Sequence, residues 1–300
     1  MSEIDLRWPL LTVDVELTNI CGQNCLFCPR EAITRPQGFM TFTLFEKLIR
    51  QLASAGSRVI FCGMGNPLLH PDIAEIGRLC RSLLLNYGLT VQAPALDAVG
   101  LEKIAQLQPA FIEVSFPAVN ESEFSEIFPG QKMADALSGL HNLARQRGSN
   151  RGITINAVMT AESKVAESQI KEFWAGHGLP CRVHPCHSRG GNLEKAELLL
   201  SKPRPVKTCG LFATHSFITW EGNLLACCHD LENSTIVGDL NSTLLLEAAA
   251  RKVAILQSGS MPFKICQTCD EPAAGRPLPD RPFPESIKAR SRFLKKLSGI

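Results

Sequence analysis

The sequence lacks an excess of either charge. Across 300 residues, 31 lysines and arginines face 29 aspartates and glutamates, a formal net charge of +2. No long basic run interrupts this balance, so nothing marks a nucleic-acid interface or an anionic-membrane surface. No window approaches the eighteen uninterrupted apolar residues of a membrane-spanning helix. The opening Met1-Ser-Glu-Ile-Asp-Leu-Arg7 has no charged-then-apolar leader layout. These absences predict a cytoplasmic protein without nucleic-acid or membrane partners, and they make the Asn-x-Ser/Thr patterns at Asn120, Asn233 and Asn241 irrelevant. An apolar content of 45% supplies a sizeable core. The length suits two ordinary domains, or one α/β barrel-like domain with an appendage.

What the chain has in quantity is cysteine, twelve in all. Without a leader, they point to metal ligation or redox chemistry in a reducing compartment rather than to a disulfide framework. Cys21, Cys25 and Cys28 stand at C-x3-C-x2-C, with Phe27 before the third, directly after the strand-like run 11–18. Three thiolates hold three irons of a [4Fe–4S] cube and leave the fourth iron open to another ligand. Zinc is the competing reading, but structural zinc takes four protein ligands and favours paired C-x2-C knuckles.

Beyond this loop, strand and helix patterns alternate. Thr43-Leu-Phe-Glu46 reads as a capping box, followed by Leu44, Phe45, Leu48, Ile49 and Leu52 at helical spacing up to Gly56. Strands are expected at 58–62, 89–93, 110–116, 152–159 and 181–185, with helices from Pro71 and near 97–107, 132–147 and 164–177. With the run 11–18 this makes six strands and five helices, an α/β pattern of parallel βαβ units. From about residue 194 the pattern changes. Lys202-Pro-Arg-Pro-Val206 reads as a stiff linker, 217–226 as a hairpin turning at Glu221-Gly222, and 244–256 as a helix ending near Gly259. Residues 272–300, rich in proline and basic residues, read as a tail.

The C-x3-C-x(aromatic)-C motif after a first strand resembles that of the radical SAM superfamily. The resemblance covers residues 11–192 and implies a (β/α)6 partial barrel with its site at the C-terminal ends of the strands. It further implies that the open iron chelates S-adenosylmethionine (SAM), that SAM is reductively cleaved to a 5′-deoxyadenosyl radical, and that this radical abstracts hydrogen from a substrate. Phe27 is then expected near the adenine. Gly63-Met-Gly-Asn-Pro67 occupies the place where the family shows Gly-Gly-Glu-Pro against the SAM amino group. Gly63, Met64, Gly65 and Asn66 are therefore candidate contacts, with Met64 and Asn66 replacing the glycine and the glutamate. Ser115 and Asn156 are candidates by analogy. Arg189-Gly-Gly-Asn192 is similar to a loop between the barrel and an auxiliary domain.

Cys209, Cys227, Cys266 and Cys269 form C-x17-C…C-x2-C and resemble the SPASM and twitch auxiliary domains of the same superfamily. The twitch form implies one fully ligated auxiliary [4Fe–4S] cluster suited to moving electrons. A zinc ribbon fits the same four thiolates, and Cys228 competes with Cys227 as ligand. Cys62, Cys80, Cys181, Cys186 and Cys228 are spare, with Cys62, Cys186 and Cys228 better placed as hydrogen-atom donors. No catalytic role falls to His184, His187, His215 or His229. The domain expectation is a barrel over 1–195, a small α+β auxiliary-cluster domain over 196–271 and a tail over 272–300.

The overall likeness is to twitch-type dehydrogenases of aminocyclitol biosynthesis. It implies an oxidoreductase acting on a small polar or peptide substrate, fed by a flavodoxin- or ferredoxin-type reductant. Peptide maturation, by epimerisation or crosslinking, is the alternative, although only about ten residues precede the first strand to recruit a peptide. A nonenzymatic iron–sulfur or zinc scaffold is the remote alternative.

Overall fold

A computed structural model of the chain describes residues 5–202 and 209–271. The tail at 272–300 and most of the proline-rich linker lie outside the described residues. The elements run β1 (Thr12–Val15), α1 (Phe42–Ala55), β2 (Arg58–Phe61), α2 (Ile73–Ser82), β3 (Asn86–Gln92), α3 (Ala98–Leu107), β4 (Phe111–Ser115), α4 (Glu121–Ile127) and α5 (Met133–Gln146). They continue with β5 (Ile153–Met159), α6 (Glu167–Gly176), β6 (Cys181–Pro185), α7 (Gly210–Thr214), β7 (His215–Ile218), β8 (Asn223–Leu225), β9 (Ile236–Asp239) and α8 (Leu245–Gln257).

The strands form one sheet in the order β6-β5-β4-β3-β2-β1-β7-β8-β9. β1 to β6 are parallel and joined by helical crossovers, the partial-barrel layout expected. The two faces follow from strict period-two alternation. Val13, Val15, Val59, Phe61, Leu89, Val91, Ile112 and Val114 pack into the core under the helices. The intervening Asp14, Glu16, Arg58, Thr90, Gln92, Glu113, Ser115 and Asn156 leave a polar inner face. There Glu113 gathers Arg58 and Arg182, each at 3.3 Å, and accepts from Asn156 Nδ2 at 3.1 Å.

The expected capping box is corrected: Thr43 lies inside α1. Thr41 is the N-cap, its hydroxyl accepting from Leu44 N, and Glu46 instead pairs with Arg50. Gly56 ends the helix in the left-handed region at φ 68°, as its position suggests. The β4–β5 connection carries two helices rather than one. Asn120 caps the additional α4 by accepting from Glu123 N. β3 begins at Asn86 rather than Leu89, α2 at Ile73 rather than Pro71.

The appended region does not start a new sheet. The hairpin turning at Glu221-Gly222 is present, but β7 pairs in parallel with β1, with Thr12 opposite His215 and Val15 opposite Ile218. The unanticipated β9 closes the edge and packs on α8. The extension is therefore held by ladder hydrogen bonds and shared core, not by a linker alone.

Candidate active site and metal centres

The first cysteine loop leaves the C-terminal end of β1 and is pinned at its base. Thr18 Oγ1 donates to Gly38 O at 2.6 Å, and Asn19 bonds Pro36 O and Gly38 N through its two amide atoms. Arg30 braces the interior by donating to Cys21 O and Gln23 O at 2.7 and 2.8 Å. Cys25 and Cys28, but not Cys21, line a mouth cavity together with Phe27, Gly63, Met64 and Ser115. The three thiols act on one another. Burial pushes Cys25 up to about 12, reinforced by Cys28 and Cys21, and Cys28 is raised mainly by burial. Such thiols ionise only when a cation offsets the desolvation, which is the service a metal core provides.

Four of the seven proposed SAM contacts, Phe27, Gly63, Met64 and Ser115, thus meet in one cavity. Gly65, Asn66 and Asn156 lie outside its lining. A Cβ on Gly65 would stand 2.3 Å from Thr18 O, so this glycine seats the β2 loop on the base of the cysteine loop. Asn66 Oδ1 caps the following turn at Leu68 N, and its own N–H bonds Ile20 O. Asn156 is turned to Glu113. Two orphaned buried atoms among the cavity-lining residues, Gln92 Oε1 and Arg189 Nε, fit a ligand rich in both donors and acceptors. Of the spare cysteines, Cys186 lines this cavity, Cys80 is core, and Cys62 is half-buried near Asp14.

A second cavity is lined by Cys209, Cys227, Cys266 and Cys269, with Leu211, Phe212, Met261 and Ile265 supplying apolar walls. Cys209 is the N-cap of α7, its Sγ accepting from Phe212 N. Cys269 Sγ accepts from Glu271 N. Cys228 is not on this lining; its charged surroundings include Asp14 and His215 of the barrel interior. Of the two competing residues, Cys227 is the one on this lining.

Donor spacing bears on which metal suits these sites. Thiolates on one tetrahedral zinc, at about 2.3 Å each, stand about 3.8 Å apart. Among the described residues, the groups of three or more donors gathered within 4.8 Å are Cys227, Cys228, His229 and His187, His229, Glu271. Neither proposed cysteine set is among these groups, so neither stands as one tetrahedral zinc would hold it. In the second group both imidazoles meet one carboxylate oxygen. His187 Nδ1 accepts from Arg189 N, so its Nε2 carries the hydrogen toward Glu271 Oε2 at 3.3 Å; His229 Nε2 lies 2.9 Å from the same oxygen. Burial pushes His187 down to about 4. Arg189 and Gly190, consecutive in the loop, line opposite cavities.

One hub escaped the sequence reading. Glu16, fully buried, receives Arg35 Nη2 on both carboxylate oxygens at 2.7 and 2.8 Å, Met64 N at 3.2 Å and Trp220 N at 3.3 Å. It joins β1, the cysteine loop, the β2 loop and the hairpin. Gly63 leaves it room, since a Cβ there would meet Glu16 Cγ at 2.6 Å. An acid at the end of a buried strand was the available signal.

A strand-end thiol loop over a parallel half-barrel, beside a second thiol-lined cavity, is the arrangement that the resemblance implies for a SAM-binding partial barrel. The profile of the Radical SAM superfamily matches residues 15–164, half of the chain, and the chain belongs to that superfamily. It is similar to the PqqA peptide cyclase of Gluconobacter oxydans strain 621H, 26% identical over 200 residues, 64% of this chain and 54% of that protein. The chain spans about half the length, or less, of the curated relatives it matches. Its fold is similar to that of Streptococcus suis SuiB bound to the precursor peptide SuiA, with TM-score 0.63, 15% identity and coverage of 87% of this chain and 71% of that one. It is also similar to BtrN in complex with AdoMet and 2-DOIA, with TM-score 0.52, 17% identity and coverage of 83% and 87%. Membership implies a [4Fe–4S] cluster and SAM. Among the described residues, no helix is long and apolar enough to cross a membrane.

Proposed function

We propose that the protein is a radical SAM enzyme that oxidises a small polar or peptide substrate, with Cys21, Cys25 and Cys28 holding the SAM cluster. Cys209, Cys227, Cys266 and Cys269 hold one auxiliary [4Fe–4S] cluster. The observation that carries this reading is that Cys25 and Cys28 line one cavity and all four auxiliary cysteines line another, with the consecutive Arg189 and Gly190 on one lining each. When bound, the SAM cluster supplies the electron that splits SAM into methionine and a hydrogen-abstracting 5′-deoxyadenosyl radical. The chain's part is positioning. Phe27, Gly63, Met64 and Ser115 shape the cofactor's cavity, and Glu16 fixes Met64 N within it. Among the described residues no carboxylate lines the cavity, and its polar side chains include Gln92, Ser115, His184, His187 and Arg189. The auxiliary site is placed to receive the electron that an oxidation releases. On this reading residues 1–195 carry the SAM site and 196–271 the auxiliary one, within one sheet, with a flavodoxin or ferredoxin as reductant.

Anaerobic reconstitution tests it. The expected content is about eight irons per chain, falling to about four when the four auxiliary cysteines are replaced by serine. With SAM and dithionite the protein releases 5′-deoxyadenosine, and Cys25→Ala abolishes release. An intact reduced cluster that leaves SAM uncleaved overturns the proposal. Peptide maturation is the second reading, favoured by the likeness to PqqA peptide cyclase. Mass change on a small peptide encoded beside the gene decides between the two.

A further inference from the structure

Among the described residues, Arg35 and Lys252 are the buried side chains of fixed cationic type. Arg35 has Glu16 as its counter-charge. Lys252, on α8 and 0% exposed, has no carboxylate partner. Its Nζ donates to His215 O at 2.6 Å and to Ser216 Oγ at 3.2 Å, and it sits 4.4 Å from the centre of the Phe212 ring. All three are neutral. An ammonium taken out of water is costly unless an anion faces it. The groups that act electrostatically on Lys252 are Cys227, Cys209 and Cys228, the first two being proposed cluster ligands that become thiolates on binding the metal core. Phe212, Cys209 and Cys227 all line the second cavity, so the ammonium lies behind its wall.

We infer that Lys252 is the counter-charge of the auxiliary cluster and raises its reduction potential. This rests on the proposed auxiliary site. Four thiolates around a [4Fe–4S]2+ core carry a net charge of about −2, and uptake of one electron, with no proton, makes it about −3. A fixed cation in a low-dielectric wall stabilises the second state more than the first. The lysine therefore favours electron acceptance at this site, without touching iron or substrate.

The test uses the full chain carrying Cys21→Ala, Cys25→Ala and Cys28→Ala, reconstituted anaerobically so that iron loads at the auxiliary thiols alone. Midpoint potentials are read from the reduced-cluster electron paramagnetic resonance signal during dithionite titration. Lys252→Met is expected to lower the reduced-to-oxidised ratio at the parent's midpoint about tenfold, which for one electron is about 59 mV. Lys252→Arg, which keeps the charge, stays within about threefold of the parent. Coincident midpoints for Lys252→Met and the parent, both with about four irons, overturn the inference. Iron loss in Lys252→Met that Lys252→Arg restores supports it; iron loss in both assigns the residue to packing and overturns it. A parent that binds no iron refutes the auxiliary site itself and the inference with it.

Discussion

Removing Arg35 should cost more than removing any surface charge, because it strands Glu16. Arg35 Nη2 donates to both carboxylate oxygens, and the two side chains are 5% and 0% exposed. Arg35→Met leaves the carboxylate with two long N–H contacts, from Met64 and Trp220, and also deletes the 2.8 Å bond from Arg35 Nε to Leu231 O. An unpaired buried charge of this kind destabilises by about 3–5 kcal/mol. The double variant Glu16→Gln, Arg35→Met removes the charge as well as its partner. It should recover part of that loss, to about 1–2 kcal/mol below the parent. Urea unfolding of the reconstituted protein under argon, followed by tryptophan emission, measures both. Trp220, whose backbone N–H is bound to Glu16, reports on the site directly. SAM binding by titration should weaken alongside, since Met64 N loses its fixed acceptor. A single variant within about 1 kcal/mol of the parent, or a double variant whose loss equals the sum of the singles, refutes the coupling argument.

The other expectations are narrower. Gly65→Ala forces a methyl into Thr18 O, a backbone atom, and should cost about 1–3 kcal/mol; iron content and thermal stability check it, and unchanged values for both would show that the loop gives way. Cys227→Ser should remove about four irons per chain and Cys228→Ser none, and the reverse would exchange their roles. His187, held near 4 by burial against an ordinary 6.5, is protonated in the unfolded chain but not in the folded one between those values. Stability should therefore fall as pH drops from 6.5 toward 4, by at most about 3 kcal/mol from this group. His187→Gln flattens that part of the profile, and an unaltered slope in the variant assigns it elsewhere.

Local pattern was enough for much of the molecule. The spacing of Cys21, Cys25 and Cys28 encodes a loop that presents thiols together, and the alternation of period-two and period-3.6 runs encodes parallel strands under helices, because both are properties of neighbours in the chain. Capping was less legible: Thr41 and Thr43 are both plausible caps, and only the turn that forms chooses Thr41. What no window could contain was pairing across the chain. β7 joins β1 from two hundred residues away, Cys227 rather than Cys228 faces the shared cavity, and Glu16 meets Arg35 and Trp220. Lys252 is an unremarkable helix residue until folding removes its water and brings cysteines of distant segments beside it. Hydrophobic periodicity is a one-dimensional signal, whereas a buried charge and its partner are defined only once distant segments close around them.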